Sequence, residues 1–249
     1  MNPTNESLRA LALRALALLD LTSLGEDDDV ARIEALCASA RTPWGMPAAL
    51  CVYPEHIVTV RKALAESVSV ATVINFPDGG EAVGRVEREA RRAIAAGANE
   101  IDLVFPYRAL LRGDARTGIA VVGAARATCG PGVKLKLIIE SGVLAAPELI
   151  RQAARIGIVA GVDFLKTSTG KVPVNATPEA AAVMLAVIAE HGGRCGFKVA
   201  GGVRTLADAA CYIGLAEAAL GADWVQPEHF RIGASGLFAA ITAVLAGGS

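Results

Sequence analysis

The segment Ala160-Gly161-Val162-Asp163-Phe164-Leu165-Lys166 contains the junction on which the fold prediction rests. Its glycine can take the left-handed backbone conformation that ends a helix, and the apolar residues after it have the composition of a strand. The same kind of junction recurs at Ala96-Gly97-Ala98 and at Leu220-Gly221-Ala222-Asp223. A repeated helix-to-strand junction predicts repeated βα units and therefore a parallel sheet.

Apolar runs of strand length recur along the whole chain, and segments of helical composition separate them. The predicted strands are Ala17–Leu21, Ala49–Tyr53, Val68–Ile74, Glu100–Phe105, Val133–Ile139, Val162–Lys166, Gly196–Ala200 and Asp223–Val225. The clearest predicted helices are Val30–Ala40, Gly80–Ala96, Pro147–Ile156, Pro178–Glu190 and Thr205–Leu220. This alternation predicts an α/β fold in which residues 1–249 form a single-domain TIM (β/α)8 barrel, with an additional N-terminal helix at Glu6–Ala15.

An open doubly wound sheet alternates strands and helices in the same way, so spacing alone leaves it as an alternative. Such a sheet has a topological switch point and usually a glycine-rich first loop. The first predicted strand is followed instead by Asp20-Leu21-Thr22-Ser23, which has no glycine. The sequence therefore favours the closed barrel.

Composition excludes several classes of partner. The 249 residues include 24 Lys and Arg against 25 Asp and Glu, a net charge of −1 that gives no electrostatic basis for binding nucleic acid or an acidic membrane. The apolar stretch Leu8–Leu19 is interrupted by Arg14 and is interpreted as a helix rather than a signal segment. The uncharged segment Ile232–Ser249 is too rich in small residues for a membrane span, and it predicts a buried packing helix. Five cysteines without a CxxC pair fit reduced thiols in the cytoplasm.

Charged residues lie on or at the ends of the predicted strands, where the active sites of parallel barrels are built. They are Asp20, Asp102, Lys136, Lys166 and Lys198. Burial of an isolated charge is costly, so these groups are expected to be paired, hydrated in a cleft or shifted in pKa.

Within this group, the lysines give the most specific indication of chemical function. A free lysine has a pKa of about 10.4 and is a poor nucleophile at neutral pH, but a neighbouring ammonium group and desolvation lower that pKa. Lys166 and Lys198, on adjacent predicted strands, form a pair in which one amine becomes reactive. The alternative is that each lysine reaches solvent or pairs structurally with Asp102 or Asp20, and spacing leaves both interpretations open.

Three loops rich in small residues follow predicted strands and indicate a phosphate site. They are Thr167–Lys171, Gly201–Arg204 and Gly233–Gly236. Backbone amides in glycine loops at helix N-termini bind anions, and barrels often hold a phosphate after strands seven and eight. One such loop alone would be ordinary turn chemistry, whereas three converging loops predict a phosphorylated small-molecule substrate.

Together, six segments resemble the 2-deoxyribose-5-phosphate aldolase family, in the family's order and over residues 18–240. They are Leu19–Thr22, Val73–Pro77, Glu100–Val104, Lys136–Glu140, Asp163–Gly170 and Gly196–Arg204. The resemblance implies a class I, Schiff-base aldolase on a TIM barrel that needs no metal or other cofactor. It further implies reversible cleavage of 2-deoxy-D-ribose 5-phosphate to D-glyceraldehyde 3-phosphate and acetaldehyde, in a cytoplasmic homodimer.

The resemblance also implies roles for individual residues. Lys166 corresponds to the Schiff-base lysine, Lys198 to the lysine that perturbs it, and Asp102 to the proton donor and acceptor that acts through a water. Asp20 and Lys136 correspond to residues that contact the substrate hydroxyl and complete the charge network. The positions that correspond to phosphate-binding residues are Gly170, Lys171, Gly201, Gly202 and Ser235.

The sequence departs from the family at two places. Gly236 stands where many members have a second serine, which predicts one hydroxyl donor fewer for the phosphate. The last residues, Leu245 to Ser249, contain no tyrosine of the kind that some members use in enamine protonation.

Other residues are not assigned to the site. The histidines His56, His191 and His229 lack ligand spacing, and Cys51 is favoured as a small core residue over a position that faces the site. Two alternatives to this function stay open at the level of sequence. One is another phosphate-binding barrel enzyme, either a different Schiff-base aldolase or a sugar-phosphate isomerase, and the other is a non-catalytic barrel that binds a phosphorylated metabolite.

Overall fold

The computed structural model describes residues 5–65 and 67–247. Parallel strands form a closed barrel in sequence order, and the first strand pairs with the last. The strands are β1 Leu19–Thr22, β2 Ala49–Val52, β3 Ser69–Ile74, β4 Glu100–Val104, β5 Lys134–Ile138, β6 Phe164–Lys166, β7 Gly196–Ala200 and β8 Phe230–Ala234. The described helices are α1 Asn5–Ala17, α2 Val30–Ala40, α3 Ile57–Leu64, α4 Val83–Ala95, α5 Tyr107–Leu111, α6 Ala115–Cys129, α7 Ser141–Leu144, α8 Pro147–Val159, α9 Pro178–Glu190, α10 Leu206–Leu220 and α11 Leu237–Leu245. The predicted TIM barrel with an additional N-terminal helix is confirmed.

The position predicted for the eighth strand is wrong. The residues predicted as a strand, Asp223–Val225, lie at a 3₁₀ turn over Ala222–Trp224, and β8 begins five residues later at Phe230. The indole of Trp224 donates a hydrogen bond of 2.7 Å to the carbonyl of Gly193, which holds this segment against the barrel as a turn. The true strand was missed because Arg231 interrupts its apolar run.

Helix boundaries follow from capping residues that the sequence supplies. Asp29 caps α2 by accepting a hydrogen bond from the backbone of Arg32, and Thr177 caps α9 ahead of its first-turn proline. Thr205 and Asp208 form a reciprocal capping box at the start of α10, which fixes the loop between β7 and that helix. This loop carries Gly201 and Gly202.

The two ends of the chain pack together. Arg14 on α1 forms an ion pair of 2.5 Å with Glu217 on α10, and Arg9 donates to the carbonyl of Leu245 at the end of α11. Leu237 and Ile241 are buried, so the packing helix expected near the C-terminus is present, although β8 takes the start of that segment. Residues 1–4, 66 and 248–249 lie outside the described residues. Within residues 5–65 and 67–247, no helix has the length and apolar character needed to cross a membrane.

The register of the strands places charged side chains side by side inside the barrel. Asp102 on β4 lies opposite Lys136 on β5, and Lys198 on β7 lies between Lys166 on β6 and Arg231 on β8. Side chains in register on neighbouring parallel strands point to the same face of the sheet. The barrel interior is therefore charged on several adjacent strands.

Candidate active site

A buried charge cluster fills the barrel interior. It consists of the carboxylates Asp20, Glu100 and Asp102 and the cations Lys136, Lys166, Lys198 and Arg231. All seven residues are at most 3% exposed. Every carboxylate contacts at least two of the cations, as burial of charge requires.

Asp102 is the centre of the cluster. Its Oδ2 atom accepts from Lys166 Nζ at 2.7 Å and from Lys198 Nζ at 2.8 Å, while its Oδ1 atom accepts from Lys136 Nζ at 3.0 Å. Burial alone would raise the pKa of Asp102, but the three ammonium groups outweigh it and hold that pKa well below its usual range. Asp102 is therefore ionised in the resting cluster, where it joins the lysines of three strands.

Asp20 forms a second connection on β1. Its Oδ2 atom lies 2.5 Å from Lys198 Nζ and 3.2 Å from Lys136 Nζ, and its Oδ1 atom accepts from Arg231 Nη1 at 2.7 Å. Asp20 is fully buried beneath Lys198. Asp20 and Lys136 thus pair within the cluster, and neither residue lines the cleft described below. Their predicted contact with the substrate hydroxyl stays a prediction.

Glu100 and Arg231 complete the cluster at its lower end, and neither residue was predicted from the sequence to have a role. Glu100 Oε2 lies 2.5 Å from Lys136 Nζ, and Glu100 Oε1 lies 3.3 Å from Arg231 Nη2. Alternation along Glu100-Ile101-Asp102 puts Glu100 on the same face as Asp102. Its partner Arg231 could not be identified from the sequence, because the eighth strand was predicted at the wrong position. The strand composition of Phe230-Arg231-Ile232-Gly233-Ala234 was the signal available for Arg231.

The three lysines of the cluster differ in their electrostatic surroundings. Burial lowers and carboxylates raise the pKa of Lys136 and Lys198, and for both the neighbouring carboxylates prevail, so the pKa values lie above the ordinary one. For Lys166 the balance is reversed: burial, with the positive charge of Lys198, outweighs Asp102, and the pKa lies below its ordinary value. Lys166 is therefore the amine of the cluster that most readily loses its proton.

A cleft of about 650 Å³ opens at the carboxyl ends of the strands. Of the seven side chains of the buried charge cluster, all within the described ranges, Lys166 is the one that lines the cleft. The residues predicted to bind phosphate all line it as well: Gly170, Lys171, Gly201, Gly202 and Ser235. We call these five residues the cleft rim; Arg204 and Gly236 also line the cleft. The structure thus brings the lysine and the glycine loops to one cavity.

Comparison with known proteins identifies the family of this barrel. The profile of the DeoC/LacD family of aldolases matches residues 14–236, which is most of the chain. The chain belongs to the DeoC/LacD family of aldolases. It is therefore an aldolase, a carbon–carbon lyase, and this excludes the isomerase and the non-catalytic barrel considered from the sequence.

Solved structures share the fold of this chain. A protein from Toxoplasma gondii ME49, provisionally assigned as a deoxyribose-phosphate aldolase, has a TM-score of 0.88 at 22% identity, over 98% of this chain and 96% of its own. A provisionally assigned deoxyribose-phosphate aldolase from Coccidioides immitis has a TM-score of 0.82 at 25% identity, over 97% and 98%. The deoxyribose phosphate aldolase from Aeropyrum pernix, described as a unique tetramer, has a TM-score of 0.71 at 22% identity, over 98% and 97%.

In this aldolase the loop after β6 is held by a buried carboxylate. Glu140, which follows β5, accepts hydrogen bonds from the hydroxyl of Thr169 at 2.6 Å and from its backbone amide at 3.2 Å. Burial raises the pKa of Glu140 even though Thr169 opposes this. Lys171, two residues further on, extends its ammonium group to the carbonyl of Leu24 at 2.7 Å. These contacts order the loop that forms one side of the cleft.

The residues not assigned to the site by sequence can now be placed. Cys51 is fully buried in a small apolar cluster with Ala49, Ala71 and Val73, which supports the interpretation as a core residue. Burial raises the pKa of its thiol despite nearby lysines. No group of three or more His, Cys, Asp or Glu side chains is arranged to hold a metal ion in the described part of the aldolase.

Proposed function

We propose that this aldolase reversibly cleaves 2-deoxy-D-ribose 5-phosphate to D-glyceraldehyde 3-phosphate and acetaldehyde through an imine on Lys166. One observation carries the proposal: the cluster residue that lines the cleft is also the lysine whose pKa is lowered. A neutral amine is needed to attack a carbonyl carbon. The substrate follows from the sequence resemblance and from the glycine loops that share the cleft.

In the first step, the neutral amine of Lys166 adds to the C1 aldehyde of the open-chain sugar. Loss of water from the adduct leaves a protonated imine between Nζ and C1, which withdraws electrons from the neighbouring bonds. Before the substrate binds, Lys136 and Lys198 are protonated because Asp102 and Asp20 pair with them. The resting cluster therefore contains one nucleophilic amine beside two ammonium groups.

In the second step, the bond between C2 and C3 breaks and its electron pair moves into the imine, which becomes an enamine. The C3 hydroxyl loses its proton to a base and becomes the aldehyde of glyceraldehyde 3-phosphate. Protonation of the enamine at C2 and addition of water at C1 then release acetaldehyde and restore Lys166. We assign the proton transfers to Asp102 and Lys198 acting through water, because Lys166 and Lys198 share the same Asp102 oxygen.

We assign the phosphate of the substrate to the cleft rim. Gly201 and Gly202 have φ angles of 86° and 94°, a backbone conformation in which consecutive amides can point toward one anion. Lys171 and Arg204 add positive charge beside these amides. A phosphate held there would keep the sugar in the cleft while its aldehyde reaches Lys166.

Reductive trapping tests this function. With 2-deoxyribose 5-phosphate or acetaldehyde and cyanoborohydride, we expect a stable adduct on the peptide that contains Lys166, together with acetaldehyde release from the sugar phosphate. Lys166→Met should lose both, whereas Lys62→Met, at an exposed position on α3, should keep both. A folded wild-type protein that gives no adduct on Lys166 would falsify the proposal, and an adduct without acetaldehyde release would assign a different aldol substrate.

The homodimer and the cytoplasmic location implied by the resemblance stay predictions. The Aeropyrum pernix protein is described as a tetramer, so relatives of this fold differ in assembly from that expectation. Light scattering of the purified chain distinguishes a monomer, a dimer and a tetramer directly.

A further inference from the structure

We infer that Glu100 and Arg231 are positioning residues that set the charge balance around Lys166 from the lower end of the barrel. The inference rests on the imine at Lys166 proposed above. Neither residue lines the cleft, and both are almost fully buried, so neither touches the substrate. Their effect must pass through the other residues of the buried charge cluster.

The contacts of the pair show how this effect is transmitted. Arg231 forks between two carboxylates, with Nη1 at 2.7 Å from Asp20 and Nη2 at 3.3 Å from Glu100. Glu100 in turn lies 2.5 Å from the ammonium group of Lys136. Asp20 and Lys136 contact Lys198 and Asp102, respectively, and these two lie next to Lys166. Two short chains of charged contacts therefore connect the pair to the reacting amine.

The position of Arg231 is fixed by more than its ion pairs. Its Nε atom donates to the carbonyl of Pro227, and its guanidinium group lies 5.6 Å from the centre of the Phe164 ring. Phe164 lies two residues before Lys166 on the same face of β6. A planar guanidinium group that satisfies two carboxylates, a carbonyl and a ring face cannot be replaced in all of these contacts by a lysine.

The charge count of the cluster explains why the pair matters. With every group ionised, four buried cations face three carboxylates, and neutral Lys166 brings these buried groups to balance. A fifth cation, Lys134, reaches Glu100 only at 4.0 Å and is 42% exposed, so solvent screens its charge. Loss of Glu100 removes a negative charge, so the protonated form of Lys166 becomes less favourable and its pKa falls. Loss of Arg231 removes a positive charge and does the opposite. The two residues are therefore expected to act in opposite directions on the same amine.

The variants at Glu100 and Arg231 leave the other titratable residues around Lys166 unsubstituted. The titratable side chains around it are Asp102 from β4, Lys136 from β5, Lys198 from β7, Cys51 from β2 and Glu140 after β5. On α8, which packs outside β6, Glu148 and Arg151 pair with each other at 2.6 Å. Any shift that follows from a change at Glu100 or Arg231 therefore reports the pair itself.

The experiment measures the initial rate of imine trapping on Lys166 with acetaldehyde and cyanoborohydride across about pH 5 to 10, which spans the titration of a lysine with a lowered pKa. Only the deprotonated amine reacts, so the midpoint of the profile follows the pKa of Lys166. Glu100→Gln should shift the midpoint down and Arg231→Met should shift it up, each by about 0.5 to 1 pH unit. The double variant should return close to the wild-type midpoint, and Arg231→Lys, which keeps the charge, should also stay close to it.

A surface ion pair supplies the matched control. Glu190→Gln and Arg155→Met break a half-exposed pair of 3.1 Å between α9 and α8, and neither should move the midpoint. If Arg231→Met does not fold, the step from Glu100→Gln to the double variant isolates the same arginine, and that step should move the midpoint upward.

The outcomes distinguish a failure of this inference from a failure of the proposed function. Opposite shifts with recovery in the double variant support the inference, whereas unchanged midpoints or shifts in one common direction in folded variants overturn it. A purely structural role would lower melting temperature and trapping yield together without a change in the midpoint. A wild-type protein that traps no imine at any pH would instead contradict the proposed function.

Discussion

The buried charge cluster and the cleft rim differ in solvent exposure and in the elements that carry them. The cluster consists of side chains on strands, nearly all without solvent exposure, and each of its carboxylates holds at least two cations. The rim consists of loop residues, in which glycine backbone and the exposed cation Lys171 face solvent. Strands fix charged groups rigidly, and loops present backbone amides to a ligand.

This difference predicts how substitutions in the two regions will differ. A change in the cluster should alter the chemical step, since every charge there acts on Lys166 or its neighbours. A change in the rim should alter substrate affinity, since the proposed function assigns the phosphate of the substrate to the rim and the aldehyde to Lys166. Kinetics that separate kcat from KM therefore test the division directly.

The largest effect is expected for Asp102→Asn. The substitution leaves three ammonium groups facing a neutral amide, so we expect a loss of about 3 to 5 kcal/mol in the free energy of unfolding, as for a broken buried ion pair. We also expect kcat to fall by about 10² to 10⁴, because a positioned proton acceptor is lost. Lys166 loses the carboxylate that favours its protonated form, so imine trapping at neutral pH should persist.

The control for this change is Asp163→Asn. Asp163, the residue before β6, pairs with Arg126 at 2.7 Å and accepts a hydrogen bond from the backbone amide of Leu135 at 2.7 Å, and its side chain is 41% exposed. Asparagine keeps an oxygen that can accept from Leu135. We expect this variant to lose about 1 kcal/mol or less and to keep the wild-type kcat. Turnover of Asp102→Asn within a few-fold of that control would contradict a catalytic role for Asp102.

The cluster also shows what could be predicted from the sequence. Asp102, Lys136, Lys166 and Lys198 were expected, as charged residues on predicted strands, to be paired, hydrated or shifted in pKa, and the structure pairs all four in one cluster. The three glycine loops were likewise expected at one end of the barrel, because strand carboxyl ends converge there. The cost of burying charge and the topology of the barrel are sufficient for these two predictions.

The lower end of the cluster could not be predicted in the same way. Arg231 meets Asp20 and Glu100 across 211 and 131 residues of chain, and these contacts exist only because β8 closes the barrel against β1. Arg231 interrupts the apolar run Phe230–Ala234, so the sequence pattern of this run is less typical of a strand. The strand was therefore predicted at the nearby Asp223–Val225 instead. Pairing of buried charges is a property of the closed barrel rather than of any one segment.

An intermediate effect is expected in the cleft rim, at Gly201. A Cβ atom at this position would lie 2.7 Å from Cβ of Asn175 and would add strain at a φ of 86°. Gly202 has a φ of 94°, but a Cβ atom there meets nothing within 4 Å. Gly201→Ala should therefore raise KM for the phosphorylated sugar by about tenfold or more, and Gly202→Ala by less, since strain alone costs about 1 to 2 kcal/mol.

The readout that separates this effect from general damage is a second substrate. With 2-deoxyribose, which has no phosphate, both alanine variants should keep the wild-type kcat/KM. Equal losses on both substrates would show that the loop supports the cluster rather than the phosphate, and the contrast between the two regions would have to be abandoned.

The smallest effect is expected for Gly236→Ser. Unlike the other substitutions, it is expected to increase the affinity for the phosphorylated sugar. Gly236 lines the cleft at the N-terminus of α11 with helical φ and ψ of −70° and −29°, and a Cβ atom there meets nothing within 4 Å. A serine hydroxyl can thus be added without strain, at a position where helix amides already favour an anion. We expect KM for the phosphorylated sugar to fall by about three- to tenfold at unchanged kcat, as one more hydrogen bond to a charged group allows. Gly214→Ser, at an exposed site on α10 that is equally open, should leave KM unchanged, and an equal change in both variants would remove Gly236 from the phosphate site.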